Sequence, residues 1–136
     1  MKLFKGRKGF TLIELLVVIL ILAILMAIAL PLYLRAVADS ERQTCRTNMQ
    51  TIATAEQAYK VRSVGHVYTA DLTATSPLIV PAVAGQSVDL QAIPMCPNTT
   101  TGTSQYTAVI NADNTITISC PNTSGGVTHG SYTPGS

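Results

Sequence analysis

The second half of this chain carries very little charge, and no lysine or arginine follows Arg62. Its acidic residues and histidines are few and scattered: His66, Asp71, Asp89, Asp113 and His129. They form no Ser-His-Asp or Cys-His pattern of the kind that nucleophilic catalysis requires. The sequence therefore argues against an enzyme, and against a basic nucleic-acid-binding face in this part of the chain.

The basic residues concentrate at the N-terminus, where Lys2, Lys5, Arg7 and Lys8 are four of the nine lysines and arginines. Without these four, five basic side chains remain against seven acidic ones, a formal charge of −2. By the positive-inside rule such a cluster stays in the cytoplasm, while the chain beyond the membrane segment is exported. The overall charge of +2 therefore comes from this basic N-terminal segment, the leader, and not from the rest of the protein.

A long uncharged segment follows the leader, because Leu15 to Leu34 contains no acidic or basic residue. At about 1.5 Å per residue this segment forms a helix about 30 Å long, which is enough to span a bilayer. No small-residue cleavage site of the A-x-A type follows within a normal h-region length, so it is not an ordinary secretory signal peptide. Pro31 is expected to bend this helix or to loosen one of its turns.

The stretch from Gly9 to Glu14 reads Gly-Phe-Thr-Leu-Ile-Glu, and with its basic leader and apolar helix it resembles the N-terminus of type IV pilin precursors. The resemblance is specific over residues 5–34. It implies cleavage between Gly9 and Phe10 by a prepilin peptidase, followed by N-methylation of Phe10. Pro31 stands where pilins usually have a proline, which implies that Phe10, Glu14 and Pro31 take part in filament assembly.

Glu14 calls for a physical explanation because it opens an apolar segment. An unpaired carboxylate in a bilayer costs roughly 2.5–3.5 kcal/mol on insertion scales, so a simple anchor would avoid it. Cleavage would free the α-amino group of Phe10, four residues before Glu14. We therefore predict that Glu14 pairs with the Phe10 amine of a neighbouring subunit and sets the axial register. The alternative is that Glu14 is solvated at the cytoplasmic interface.

The predicted fold is α+β, with a long N-terminal helix packed on a small antiparallel sheet of three or four strands, as in type IV pilins. The helix is expected from about Thr11 to about Ser63, with Gly65 as its stop. Four regions follow from this interpretation: a cleaved leader over 1–9, a membrane and filament-core helix over 10–34, an amphipathic helix half over 35–64, and an exported β-rich head over 65–136.

Two local patterns support this fold. Apolar residues recur at helical spacing after the membrane segment, interrupted only by Glu56, and predict a buried stripe: Cys45, Met49, Ile52, Ala53 and Tyr59. Residues 106–110 and 115–119 flank a run of turn residues and predict a β-hairpin. Within it, Asp113 and Asn114 suit a turn better than a calcium loop. The glycine-rich C-terminus is expected to be a surface loop around a short piece near Tyr132.

The cysteines of the head are predicted to form a disulfide. Cys96 and Cys120 flank the hairpin, and each is followed by proline and asparagine. The exported side is oxidising, so a Cys96–Cys120 bridge is reasonable, and it would contribute about 3.5 kcal/mol by loop-closure entropy. Several pilins and pseudopilins are similar in having a disulfide that ties C-terminal strands. The alternative for this pair is pairing with Cys45, since three cysteines leave the connectivity open.

We expect ordinary structural roles for the remaining cysteine and the histidines. Cys45 lies on the apolar stripe, and a buried thiol is the simplest interpretation. A zinc site made of Cys96 and Cys120 with His66 and His129 fits no common ligand spacing, so no metal or other cofactor is expected. His66 and His129 are therefore interpreted as surface histidines in loops.

The resemblance implies a structural function, that of a major type IV pilin. The partners expected are further copies of the chain, prepilin peptidase, the inner-membrane assembly platform and, before assembly, membrane lipid, with no direct nucleic-acid partner. The precursor would cross the cytoplasmic membrane once and later enter an extracellular filament. The first alternative is a pseudopilin of a type II secretion or DNA-uptake system. A second, of another class, is an anchored enzyme or ligand-binding module.

Overall fold

The structure is a computed structural model. It describes residues 9–81, 85–99 and 106–135. The predicted leader, apart from Gly9, lies outside these residues. Contacts divide the chain into two units, Met1–Ala36 and Val37–Ser136. Each unit contains part of one long helix, and only the second contains strands among the described residues.

Helix α1 runs over Leu12–Arg62, close to the predicted bounds. Its first half is rich in leucine and alanine, which favour helix, and α1 remains helical on both sides of Pro31. The Ser63 N–H donates to the Tyr59 carbonyl over 2.7 Å just past its end. Gly65 follows with a φ of +92°, a left-handed conformation that glycine adopts without steric cost. The predicted stop at Gly65 is thereby confirmed.

The described part of the first unit exposes its apolar side chains. Its most apolar window of 18 residues has a mean hydropathy of 3.3, and none of that window is buried. The core helix of a soluble protein would bury much of such a surface against its own chain. By length and composition this segment can therefore cross a membrane.

The second unit contains an antiparallel sheet in the order β1-β2-β3. Strand β1 spans Thr107–Ile110, β2 spans Ile116–Ser124 and β3 spans Val127–Tyr132. The pairing of β1 with β2 confirms the predicted hairpin, and Asn114 takes a φ of +59° in its turn. The expectation of a C-terminal surface loop was wrong over β3. That strand is short and largely exposed, so it lacks the apolar alternation by which strands are recognised.

The second half of α1 packs on this sheet and forms the core. Four residues of the predicted stripe are buried, namely Cys45, Met49, Ile52 and Ala53. The sheet contributes Ile116, Ile118 and Cys120, which alternate along β2 and so share one face. The α+β class is confirmed, with three strands in the part of the chain that the structure describes.

A bulge interrupts β2 just after Cys120. Cys120 pairs with Gly130 and Thr123 pairs with Thr128, so two residues of β2 oppose the single residue His129. One of the two is Pro121, which has no N–H to give to the ladder and is tolerated in strands mainly at such bulges. The bulge therefore fixes where the side chain of His129 enters the core.

Gly125→Ala is expected to destabilise the second unit by about 1 kcal/mol or more. Gly125 and Gly126 form the two-residue turn between β2 and β3, with φ values of +59° and +79°, and positive φ strains any residue with a Cβ. A Cβ on Gly125 would also lie 3.3 Å from the Cβ of Ala38, whereas none on Gly126 meets an atom within 4 Å. Thermal unfolding of the detergent-solubilised chain should place Gly126→Ala between the wild type and Gly125→Ala. Equal midpoints for the two variants would contradict the role of the Ala38 contact.

Candidate functional site

Three cysteines and one histidine meet in the core of the second unit. Their ligand atoms all lie within 4.8 Å of one another, and all four residues are buried: Cys45, Cys96, Cys120 and His129. We call this set the thiol–imidazole cluster. Its members come from α1, from the segment before β1, from β2 and from β3. All three cysteines are free thiols in the structure, so the Cys96–Cys120 disulfide stays a prediction.

The cluster is tightest around Cys45. Its Sγ lies 3.0 Å from Cys96 Sγ and 3.9 Å from Cys120 Sγ. The Nδ1 atom of His129 lies 2.9 Å from Cys45 Sγ, 3.3 Å from Cys96 Sγ and 3.7 Å from Cys120 Sγ. The Tyr106 hydroxyl donates to Cys45 Sγ over 3.3 Å. One imidazole nitrogen therefore faces three sulfur atoms.

Hydrogen bonds on the far side of the ring define the state of His129. Its Nε2 lies 2.7 Å from Ser124 Oγ, and the Ser124 hydroxyl donates to the Glu41 carboxylate. Because the hydroxyl proton goes to Glu41, Ser124 must accept from the Nε2–H of His129. Burial lowers the pKa of His129, although the nearby Glu41 opposes this. The neutral ring therefore directs the lone pair of Nδ1 at the sulfur atoms.

The three thiols differ in acidity. Burial and the neighbouring Cys96 raise the pKa of Cys45 to about 12, and burial also raises the pKa of Cys120. Burial alone would raise the pKa of Cys96 too, but the neighbouring Asn122 side chain and hydrogen bonds from the Cys45 thiol and the Asn98 backbone N–H lower it. Of the three thiols, Cys96 is thus the one whose pKa is lowered.

The N-terminal motif, residues 9–14, starts outside the helix. Gly9 and Phe10 precede α1, the Phe10 side chain is 90% exposed, and a Cβ on Gly9 would meet no atom within 4 Å. An exposed, non-helical peptide bond suits a protease, which must bind its substrate in an extended form. Cleavage and methylation at this point stay predictions.

Thr11 and Glu14 form a capping box at the start of α1. Glu14 Oε2 accepts from the Thr11 N–H and from the Thr11 hydroxyl, both over 2.8 Å, and the Glu14 N–H donates to Thr11 Oγ1 over 3.3 Å. This arrangement satisfies backbone N–H groups that a helix start leaves unpaired. The Thr-x-x-Glu spacing before an apolar run is the sequence signal of this motif.

Comparison with known proteins bears on the same segment. A family model described as the prokaryotic N-terminal methylation motif matches residues 4–30. A relative, the type IV major pilin protein PilA of Myxococcus xanthus (strain DK1622), is 40% identical over 53 residues. This N-terminus is of the type IV pilin and pseudopilin class. The alignment covers 39% of this chain and 24% of the relative, so the chain spans about a quarter of the relative's length. No solved structure gives a significant match.

The pilin-type residues and the cluster lie in different units. The first unit contains Gly9, Phe10, Glu14 and Pro31. Among the described residues, no contact joins Pro31 to the other three. The two histidines of the second unit have different environments. His66, once considered with the cysteines, is exposed and absent from the cluster, whereas Cys45 is part of it. The expectation of a surface position was wrong for His129, which is 7% exposed.

In the sequence, Glu56 stands out only as an interruption of the apolar stripe. The structure buries it completely, and its two carboxylate oxygens accept the backbone N–H groups of Thr69 and Ala70, each over 3.0 Å. Burial raises the pKa of Glu56 in spite of these two hydrogen bonds. A single carboxylate thus holds the chain that follows α1 onto the helix.

Proposed function

We propose that this chain is the structural subunit of a type IV pilus, a major pilin that is cleaved after Gly9 and polymerises through residues 10–34. The observation that supports this most is the methylation motif at residues 4–30, joined to an apolar helix segment that its own chain leaves unburied. The relative whose name is type IV major pilin protein adds support over the aligned residues.

The exposed apolar surface requires two successive environments. In the precursor, lipid covers it, and the chain crosses the cytoplasmic membrane once with its N-terminus inside. In the filament, identical helices replace the lipid. Burial of apolar surface stabilises by about 25 cal/mol per Å² when that surface leaves water, but here it leaves lipid. The net gain per subunit is therefore much smaller than the buried area suggests. Contacts between unlike patches of identical subunits generate an open helical filament when they do not close into a ring.

The partners follow from this life cycle. Prepilin peptidase would cut the exposed bond after Gly9, and the inner-membrane assembly platform would extract the processed subunit into the filament on the cell surface. Copies of the chain itself are the main partner, and no enzymatic activity is part of the proposal. A pseudopilin of a type II secretion or DNA-uptake system shares the same N-terminal motif, so the experiment is chosen to separate the two.

Filaments sheared from producing cells are expected to contain abundant chains that begin at N-methylated Phe10. Intact-mass and N-terminal analysis would measure this directly. If the processed chain occurs only in the envelope fraction and in no surface fibre, the pseudopilin function replaces the major-pilin function. An uncut chain beginning at Met1 in active cells would contradict both.

Gly9→Val supplies the matched variant for this experiment. A Cβ at this position would meet no atom within 4 Å, so the substitution should block cleavage without disturbing the fold. The uncut chain is then expected in the membrane fraction, with loss of filaments. Gly6→Val changes the other glycine of the leader and should leave processing and filament yield close to wild type.

A further inference from the structure

We infer that the thiol–imidazole cluster binds one Zn²⁺ ion in a Cys₃His site. Three sulfur atoms and one imidazole nitrogen form one of the common ligand sets of structural zinc sites. Here the four ligand atoms already lie within 4.8 Å of one another, and every ligand residue is buried. Soft thiolates with one imidazole favour zinc over magnesium or calcium, which prefer oxygen ligands.

The distances fit a tetrahedral ion after a small movement. Zn–S bonds of about 2.3 Å and a Zn–N bond of about 2.0–2.1 Å imply ligand-to-ligand distances of about 3.5–3.8 Å. Cys120 Sγ is already within about 0.1 Å of this range, at 3.9 Å from Cys45 Sγ and 3.7 Å from His129 Nδ1. The two shortest distances, 3.0 and 2.9 Å, both involve Cys45. Binding therefore requires mainly that the Cys45 thiolate moves outward.

The histidine is oriented for a metal. Its Nε2–H is held by Ser124, which in turn is held by Glu41. Metal-bound histidines usually donate their second N–H to such a partner, which fixes the tautomer and makes the ligating nitrogen more basic. The lone pair of Nδ1 points at three sulfur atoms. When a cation is bound, these sulfurs are thiolates and have no S–H group that would need an acceptor.

The surroundings of the sulfur atoms supply donors for thiolates. The sequence Cys-Pro-Asn occurs twice, and in each copy the backbone N–H of the asparagine, Asn98 or Asn122, stabilises the thiolate of its own cysteine. Within the described residues, the buried Nδ2 of Asn122 has no acceptor at normal hydrogen-bond geometry, yet it lies beside Cys96 and stabilises the thiolate there. Such donors suit a site in which several sulfurs carry negative charge. A bound divalent cation would offset the repulsion between these buried charges.

A disulfide accounts for less of this geometry. Any single bridge uses two of the three cysteines and leaves a third buried sulfur within reach of the bond, where thiolate attack could rearrange it. With a bridge in place, the Nδ1 lone pair of His129 has among the cysteines only the weak S–H donor of the third one. One zinc ion uses all four ligand atoms and joins α1, the segment before β1, β2 and β3 at a single point, as a disulfide was expected to do for two of them.

The full chain, isolated in detergent without oxygen, tests the site with metal ions alone. We expect about one zinc per chain by elemental mass spectrometry, and Co²⁺ in its place should show the intense visible bands of a tetrahedral ion together with sulfur-to-cobalt charge transfer. This measurement on the wild type does not depend on any variant folding. A disulfide in the isolated chain, with no metal uptake after reduction, would overturn the inference.

Variants then identify the ligands. Cys45→Ser is decisive because the Cys96–Cys120 disulfide does not involve it, and zinc affinity should fall more than 100-fold, since loss of an outer partner alone costs about 10–100-fold. Ser124→Ala removes such an outer partner and should weaken binding about 10–100-fold. His66→Asn is the matched control: it removes an exposed histidine at a φ of +52°, which asparagine tolerates, and affinity should not change. Wild-type affinity in Cys45→Ser would also overturn the site.

Discussion

Glu14→Ala is expected to reduce filament assembly roughly 100-fold or more while processing and membrane insertion continue. On the proposed function, the Phe10 amine of one subunit meets the Glu14 carboxylate of a neighbour in a low-dielectric core. Removing one partner strands the other charge, at a cost of about 3–5 kcal/mol. The yield of sheared filament per processed chain is the measurement, with N-terminal analysis showing that cleavage is intact.

The capping box provides a competing explanation that two further variants can separate. Glu14→Gln keeps a side chain that can serve in a capping box but removes the charge. Thr11→Ala removes the hydroxyl that caps the helix and keeps the charge, at an expected cost of about 0.5–2 kcal/mol in helix stability. We expect Glu14→Gln to fail like Glu14→Ala, and Thr11→Ala to assemble at a moderately reduced rate. Wild-type assembly by Glu14→Gln would show that capping alone is what Glu14 contributes.

Glu56→Ala is expected to destabilise the second unit by about 3–5 kcal/mol. Glu56 is fully buried and accepts the backbone N–H groups of Thr69 and Ala70, and each orphaned donor costs about 1–3 kcal/mol. The lost side-chain volume adds a cavity cost. Denaturant unfolding of the detergent-solubilised chain measures the loss. Glu56→Gln keeps the volume and one acceptor, so about half of the effect is expected. A loss below about 1 kcal/mol in Glu56→Ala would contradict the anchoring role.

The same residue should make stability depend on pH. Burial, and more weakly Asp71 and Asp89, raise the pKa of Glu56 above its ordinary value of 4.5. The folded chain therefore binds the proton more tightly than the unfolded chain, and this contribution to the free energy of unfolding is fully present below about pH 4.5. It is lost as the pH rises through the folded pKa. The Glu56→Gln variant should lack this component, and an unchanged pH profile in that variant would assign the dependence to other groups.

Local patterns explain why much of the fold could be predicted. The bounds of α1 depend on helical periodicity and on Gly65, and the β1–β2 hairpin depends on alternation and turn residues, all of which are close in sequence. The predicted C-terminal loop failed because β3 has one buried side chain in six residues. Its backbone hydrogen bonds to β2 hold it in the sheet. Such bonds do not involve side chains, so the composition of the strand does not reveal them.

The sequence by itself determined the N-terminal class, the membrane-competent helix and the absence of a catalytic pattern, because each depends on residues within one short segment. Only the tertiary structure decided the environment of the cysteines. Cys45 lies 51 residues from Cys96 and 84 from His129, and the packing of α1 on the sheet brings them together. The bulge at Pro121 then places His129 opposite the sulfurs. Side chains this distant share no periodicity, so their meeting is a property of packing and register alone.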